Sequence, residues 1–271
     1  MSTGDLVPRL PSHAEETILA FLRSHALDHG HDGGVVGLSG GIDSALVAHL
    51  AAQALGPDRV LGVLLPDPEF PAALRRETEA FADALGIERR TLPIGPIEEE
   101  FHRLLPEVAD RVARGNTKAR IRMIVLYALA RERHRVVLGT GNKSELLLGY
   151  FTKYGDGGVD VQPIADLYKT EVRALAARRG LPAAIRDRPP SAGLWEGQTD
   201  EEELGLPYDA IDRILRGLER GLAPEEIARR TGLGAAEIEP ILARVVASRH
   251  KRRPAPIAAV SERPVGAAWD V

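Results

Sequence analysis

The stretch Val35-Val36-Gly37-Leu38-Ser39-Gly40-Gly41-Ile42-Asp43-Ser44-Ala45 constrains this chain more than any other. An apolar run long enough for a buried strand breaks into two adjacent glycines and resumes at once as an apolar helix. The first amide groups of that helix, from Asp43 onward, then face whatever lies beyond the turn. Glycines let the backbone come close to a bulky anion, and a helix N-terminus attracts one. Ser39 and Ser44 add hydroxyls. Asp43 is the discordant member, because a carboxylate beside phosphates is repelled unless a divalent cation lies between them. The stretch therefore predicts bound phosphate together with Mg2+. It is not the G-x-x-x-x-G-K-[ST] loop, since no Lys follows the glycines. An ordinary strand-to-helix turn would account for a pair of glycines, but not for two Ser, Gly-Gly and Asp together.

The runs that follow predict an α/β fold. Arg59 to Leu65, closed by Pro66, reads as a strand buried on both faces. Leu74, Thr78, Phe81 and Leu85 mark a helix stopped at Gly86, and Ile87 to Leu92 and Val136 to Gly139 are two further strands. Strands alternating with helices give a Rossmann-like parallel sheet flanked by helices, whose ligands bind at the carboxyl ends of the strands, where Ser39 to Ser44 lie. Upstream, Ser12-His13-Ala14-Glu15 has the form of a capping box for an amphipathic helix ending near His29-Gly30. His25, His29 and His31 are close in sequence, but His at a helix end is ordinary and no metal site is assigned to them. Gly115 opens another helix with Ile121, Val125, Ala128 and Leu129 inward. By composition its Lys118, Arg120 and Arg122 read as a solvated basic face.

Three later stretches carry chemistry. Thr140-Gly141-Asn142-Lys143-Ser144-Glu145 leaves the carboxyl end of the Val136 strand, where Thr140 and Glu145 are placed to meet Asp43. Two converging carboxylates suit a hard cation. Gly149 to Gly158 packs three aromatics, a Lys and an Asp between glycines, in a chain that is only 4% aromatic; rings beside charges suit a flat charged heterocycle. Pro163 to Thr170 leads into a helix through Ala177, with Lys169 near its start and in reach of a phosphate. Asp187 to Pro207 is rich in Pro, Gly and acid, and a loop of about twenty residues is a lid or a disordered linker. Leu194 and Trp195 give it something to pack, which favours a lid.

The C-terminal part reads as helices over Tyr208 to Glu219, Pro224 to Thr231 and Ala235 to His250. The last two resemble a helix-turn-helix and Arg249 to Arg253 is basic, so a nucleic-acid-binding protein is the minor alternative. Glu237 and Glu239, which phosphates would repel, weigh against it. With 271 residues and 44% hydrophobic content the chain can bury one core with a small helical appendage. The net charge of -4 gives no reason to expect a nucleic-acid or membrane surface. Zero Cys rules out disulfides, thiolate zinc sites and a Cys-dependent glutaminase within this sequence. Polar residues at the start and the lack of a run near the ~18 apolar residues of a membrane span make a cytoplasmic protein the expectation.

Ser39 to Ser44 resembles the pyrophosphate-binding loop S-G-G-x-D-S of the ATP pyrophosphatases, which adenylate an oxygen and release pyrophosphate. SGGIDSAL (Ser39 to Leu46), NTKARIRM (Asn116 to Met123), GTGNKSELLLGYFTKYGDGG (Gly139 to Gly158), PIADLYKT (Pro163 to Thr170), PSAGLWEGQTDEEELG (Pro190 to Gly205), YDAID (Tyr208 to Asp212) and HKR (His250 to Arg252) together resemble the ammonia-dependent NAD synthetases. The resemblance implies an adenine nucleotide alpha hydrolase-like fold and ATP-dependent amidation of nicotinic acid adenine dinucleotide (deamido-NAD) by ammonia, with another amide-forming ATP pyrophosphatase as the nearest alternative. It implies one domain over 1–271, made of a nucleotide-binding core (10–186), a lid (187–207), C-terminal helices (208–253) and a tail (254–271). Ser39, Gly40, Gly41, Ile42, Asp43 and Ser44 would hold ATP, with Thr140, Lys169 and the lid residue Ser191. Asp43 and Glu145 would hold Mg2+. Asn116, Arg120, Phe151, Lys153, Tyr154, Asp156, His250 and Lys251 would hold deamido-NAD. Asp43, Lys169 and Asp156 would be catalytic; Asp156 either holds ammonium or takes its proton, or only fixes the Gly155-Asp156-Gly157 turn. A homodimer is implied as well. Two places depart from the family: Pro66 to Pro71 stands where Arg and Ser commonly contact ATP, so that contact is lost or passes to Arg75 or Arg76, and the tail beyond Arg253 does not match closely.

Overall fold

The computed structural model describes residues 6–195 and 197–260; the last part of the tail, 261–271, lies outside them. Strands β1 (Gly34–Gly37), β2 (Val60–Leu64), β3 (Glu88–Thr91) and β4 (Val136–Leu138) form a parallel sheet in the order β3-β2-β1-β4. The strand runs read from the sequence are these four. Alternation sends Val36, Val60, Leu64, Val136 and Leu138 into one apolar layer and Val35, Leu61, Val63 and Val137 into the other, so both faces are covered. β3 is the charged edge, where Glu88, Arg89 and Arg90 are exposed and discourage further strand pairing.

Helices α1 (Ala14–Arg23), α2 (Ile42–Leu55) and α3 (Ala72–Ala84) supply the first layer. α2 is apolar nearly all round and accordingly buried, with Leu46, Val47, Ala48, Leu50 and Ala51 fully enclosed. α1 is not opened by a capping box: His13 precedes it and no side chain caps it. It continues into one wider turn, Ser24–Asp28, before Gly30. His25 and His29 donate from Nδ1 to the Phe21 and Ser24 carbonyls, at 3.0 and 2.9 Å.

Helices α4 (Gly95–Leu104) and α5 (Arg111–Glu132) lie in sequence between β3 and β4, and α5 packs on the opposite face of the sheet. α5 starts before Gly115, because Asp110 caps it by accepting from the Ala113 amide at 2.7 Å. Its basic face is not solvated as composition suggested. Lys118 is 5% exposed and bonded to Asp67 and Glu69 at 3.2 and 3.1 Å. Arg122 donates to the Leu65 carbonyl and to Asp67; Arg120 alone of the three is exposed.

After β4 come α6 (Lys143–Leu148), α7 (Lys169–Arg178) and α8 (Ala183–Arg186), then a short helix inside the predicted lid, α9 (Asp200–Leu204). Helices α10 (Tyr208–Glu219), α11 (Pro224–Thr231) and α12 (Ala235–Ala247) form their own cluster with Leu148 and Tyr168. The helix-turn-helix likeness dissolves here. Ile238, Ile241 and Val245 of the would-be recognition helix are buried in that cluster. Of the basic run, Arg252 donates to the carbonyls of Leu147 and Val245 at 2.7 and 2.9 Å. Among the described residues, no helix is long and apolar enough to cross a membrane.

Ile211 is fully buried in the α10–α12 cluster. Ile211→Ala is expected to lower stability by about 2–5 kcal/mol, read as a lower urea midpoint.

Candidate active site

The carboxyl ends of β1 and β4 point the same way, and the order of the strands reverses between them. Ligands bind at such a switch point. The loop after β1 turns at Gly40, where φ is +78°. A Cβ there would lie 2.5 Å from Leu74 and 2.7 Å from Thr78, so both the conformation and the space require glycine. The two serines brace the turn: the Ser39 amide donates to Ser44 Oγ at 3.2 Å, Ser44 donates to the Gly41 carbonyl at 3.0 Å, and the Gly41 amide donates to Ser39 Oγ at 3.2 Å. The first helical hydrogen bond runs from Ala45 to Gly41, so Ile42, Asp43 and Ser44 carry the amides that open α2.

Asp43 meets three groups from elsewhere in the chain. Lys169, the first residue of α7, donates to Asp43 at 2.6 Å and to Glu145 of α6 at 3.0 Å. Asn142 donates to the other Asp43 oxygen at 2.9 Å. Asn142 and Glu145 also cap α6 reciprocally, which pins Glu145 in direction. The two carboxylates thus converge on one point, as their positions in the sequence suggested, and an ammonium occupies it. Burial works against the Lys169 charge, but Asp43 and Glu145 outweigh it and hold the ammonium above its ordinary range. Burial pushes the Glu145 carboxyl up against the pull of Lys169, and Asp43 and Asp200 push the same way. Among the described residues no larger group of His, Asp and Glu gathers in a metal-binding arrangement.

The aromatic loop is clasped by α5 and by the chain end. Thr152 donates to Asn116 at 2.7 Å and Arg120 reaches the Lys153 carbonyl at 3.4 Å. Lys153 donates to the His250 carbonyl at 2.9 Å, and Lys251 to the carbonyls of Gly149 and Phe151 at 2.7 and 2.8 Å. Asn116, Arg120, Phe151, Lys153, Tyr154, Asp156, His250 and Lys251 therefore come together. Tyr154 is exposed with φ of +62°. Asp156 holds the turn through Oδ1, which accepts the Thr152 amide at 2.8 Å. Thr140, half-buried, follows β4.

Leu194 and Trp195, in the stretch expected to form a lid, rest on α5. Lys118 donates to the Leu194 carbonyl at 3.3 Å, the Leu194 side chain fills the space left by Gly115, and the Arg111 guanidinium lies 4.3 Å from the centre of the Trp195 ring. Ser191 is exposed and accepts the Gly193 amide. Neither Arg75 nor Arg76 comes to the phosphate loop; Arg75 bonds Glu79 at 3.0 Å and Arg76 is exposed. The guanidinium that reaches the loop is Arg188, from the root of the lid, bonded to the Gly40 carbonyl and to Glu77. Sequence reasoning missed Arg188 and Asn142. The Asn-x-x-Glu spacing of a capping box was the available signal for Asn142; Arg188 had none.

Residues 15–255 match the NAD synthase family. The chain belongs to the NAD synthase family. The NH(3)-dependent NAD(+) synthetase of Methanosarcina mazei is 48% identical over 248 residues, 90% of this chain and 97% of the relative. Among solved structures, an NMN synthetase from Francisella tularensis has a TM-score of 0.82 at 34% identity, covering 93% of this chain and all of that one. The NH3-dependent NAD synthetase of Campylobacter jejuni has a TM-score of 0.77 at 32% identity, covering 90% and 97%. In this NAD synthase family member the Ser39-to-Ser44 loop, the trio of Asp43, Glu145 and Lys169 and the start of the aromatic loop, where the Tyr150 amide donates to the Glu145 carbonyl, gather beyond the carboxyl ends of β1 and β4.

Lys169 is the ammonium that keeps Asp43 and Glu145 together. Lys169→Ala is expected to cost about 3–5 kcal/mol by emptying a buried ammonium position between two partly buried carboxylates, measured by urea denaturation; a loss below about 1 kcal/mol, the worth of a surface pair, would refute this.

Proposed function

We propose that the protein is an ammonia-dependent NAD synthetase, which amidates deamido-NAD with ATP and ammonia and yields NAD, AMP and pyrophosphate. The observation that carries this is the pairing, beyond the carboxyl ends of β1 and β4, of a glycine-rich strand-to-helix loop without a Lys and an aromatic loop between charged side chains. Such a loop suits a leaving pyrophosphate, and such rings suit a pyridine.

A carboxylate is too poor an electrophile for ammonia, so a nicotinate oxygen first attacks the α-phosphorus of ATP. The bond from that phosphorus to the β-phosphate bridge breaks, giving an acyl-adenylate and pyrophosphate. Ser39 to Ser44 cradle the phosphates, with Thr140 and Ser191 as further ATP contacts. Asp43 and Glu145, hard oxygen donors converging on one buried position, fit Mg2+ and would hold it. When bound, Mg2+ supplies positive charge against the negative charge gathering on the leaving pyrophosphate. Lys169 exchanges its carboxylate partners for phosphate oxygens and adds to that charge. Asn116, Arg120, Phe151, Lys153, Tyr154, His250 and Lys251 hold the dinucleotide and keep the pyridine carboxylate in line with the α-phosphorus. Ammonia then attacks the activated carbonyl carbon, loses a proton and expels AMP; Asp156 receives the ammonium or its proton.

The protein works as a homodimer in this reading. Supporting it, Ile97 and Leu104 of α4, Val112 and Ile124 of α5 and Tyr154 are exposed apolar side chains suited to a second copy.

The test is incubation with ATP, Mg2+ and ammonium, offering deamido-NAD in one arm and nicotinic acid mononucleotide in another, because the Francisella relative is named an NMN synthetase. NAD, AMP and pyrophosphate in equal amounts, with the dinucleotide preferred, are expected; ADP in place of AMP would refute the proposal. Asp43→Asn is expected to abolish pyrophosphate release in a folded protein. Asp156→Asn is expected to slow amidation by about 100-fold at saturating dinucleotide, and an unchanged rate would reduce Asp156 to its turn role.

A further inference from the structure

Asp212 lies within α10, outside the sheet and its flanking layers, and is fully buried. The reaction above makes no use of it. Its Oδ1 accepts the Ser144 hydroxyl at 2.5 Å, and its Oδ2 accepts both the amide and the hydroxyl of Thr170, at 2.9 and 2.8 Å. Ser144 Oγ in turn accepts the Lys169 amide at 2.9 Å. A single carboxylate thus joins Ser144, the neighbour of Glu145 on α6, to Lys169 and Thr170, the first two residues of α7. The amides concerned are donors that a helix N-terminus leaves without internal partners, and a negative charge is favoured beside them.

Packing does not explain an acid at this position. An apolar residue of similar size would be buried at far lower cost. Burial raises the Asp212 carboxyl above its ordinary range, and the bonds from Ser144 and Thr170 oppose that rise. Only a carboxylate offers acceptors on both oxygens; an Asn would present a donor on one side. Lys169 and Glu145 belong to different helices, and the link through Ser144 and Thr170 joins the two helix starts beside the backbone bond from Lys143 to the Leu167 carbonyl at 2.8 Å.

We infer that Asp212 is a positioning residue for the adenylation step, setting Glu145 and Lys169 against Asp43 from the C-terminal helices through Ser144 and Thr170. This rests on the functional reading above. It gives the YDAID stretch a role in the chemistry, although none of its residues reaches the phosphate loop.

The experiment measures kcat and KM for ATP and for deamido-NAD in the wild type, Asp212→Asn, Ser144→Ala and the double variant, each with a urea midpoint and the folded fraction at assay temperature. Asp212→Asn is expected to lower kcat per folded molecule by about 100-fold, with both KM values within about threefold of wild type, because a misplaced reacting group costs rate more than affinity. Ser144→Ala is expected to lower kcat by about 10-fold, and the double variant to be no slower than Asp212→Asn, because both act along one chain of hydrogen bonds. If Asp212→Asn does not fold, Ser144→Ala carries the test. An unchanged kcat per folded molecule, or losses that multiply in the double variant, would overturn the inference. A wild type that makes no NAD in the same assay would instead overturn the functional reading.

Discussion

The ammonium of Lys169 between the carboxylates of Asp43 and Glu145 is the contact on which the site depends. The three groups come from the loop after β1, from α6 and from α7, and none is close to another in sequence except through the fold. Two carboxylates brought this near each other in a half-buried cleft repel strongly, and the structure tolerates them because the ammonium lies within 2.6 and 3.0 Å. Burial holds the Glu145 carboxyl up to about 8, so near neutral pH the Lys169 ammonium is balanced chiefly by Asp43.

Around the trio, the loops are held by polar contacts, two of them against α5. The phosphate loop is braced by its own serines and by Arg188 from the root of the lid. The aromatic loop is clasped by Asn116, Arg120 and Lys251. The lid rests on the start of α5, where Gly115 leaves room for Leu194 and Lys118 takes the Leu194 carbonyl. α5 therefore touches both Leu194 of the 187–207 segment and the aromatic loop. Lys118 and Arg122 tie α5 to Asp67, Glu69 and the Leu65 carbonyl of the segment after β2.

Much of this was legible in the residues. The apolar runs at Val35, Arg59 and Val136 could only be strands covered on both faces, and the glycines at Gly40-Gly41 marked the turn from β1 into α2. The limits of legibility have particular causes. α4 was not anticipated because Glu98-Glu99-Glu100 interrupts its apolar pattern. Lys118 and Arg122 read as solvated because their acidic partners, Asp67 and Glu69, lie on a loop some fifty residues away. The C-terminal helix pair resembled a DNA-binding unit because local sequence specifies a helix and its turn, not the surface it is pressed against.

The sequence by itself determined the parallel α/β architecture, the place of the phosphate loop at a strand end, the aromatic loop and the helical C-terminus. Each follows from spacing or backbone freedom over a few neighbouring residues, which are local properties. Only the tertiary structure decided that Lys169 lies between Asp43 and Glu145, that Arg188 rather than Arg75 or Arg76 meets the phosphate loop, and that Asp212 ties α6 to α7. Those are pairings of charged and polar groups between distant segments, and their partners are chosen by which side chains remain unsatisfied once the apolar layers have packed.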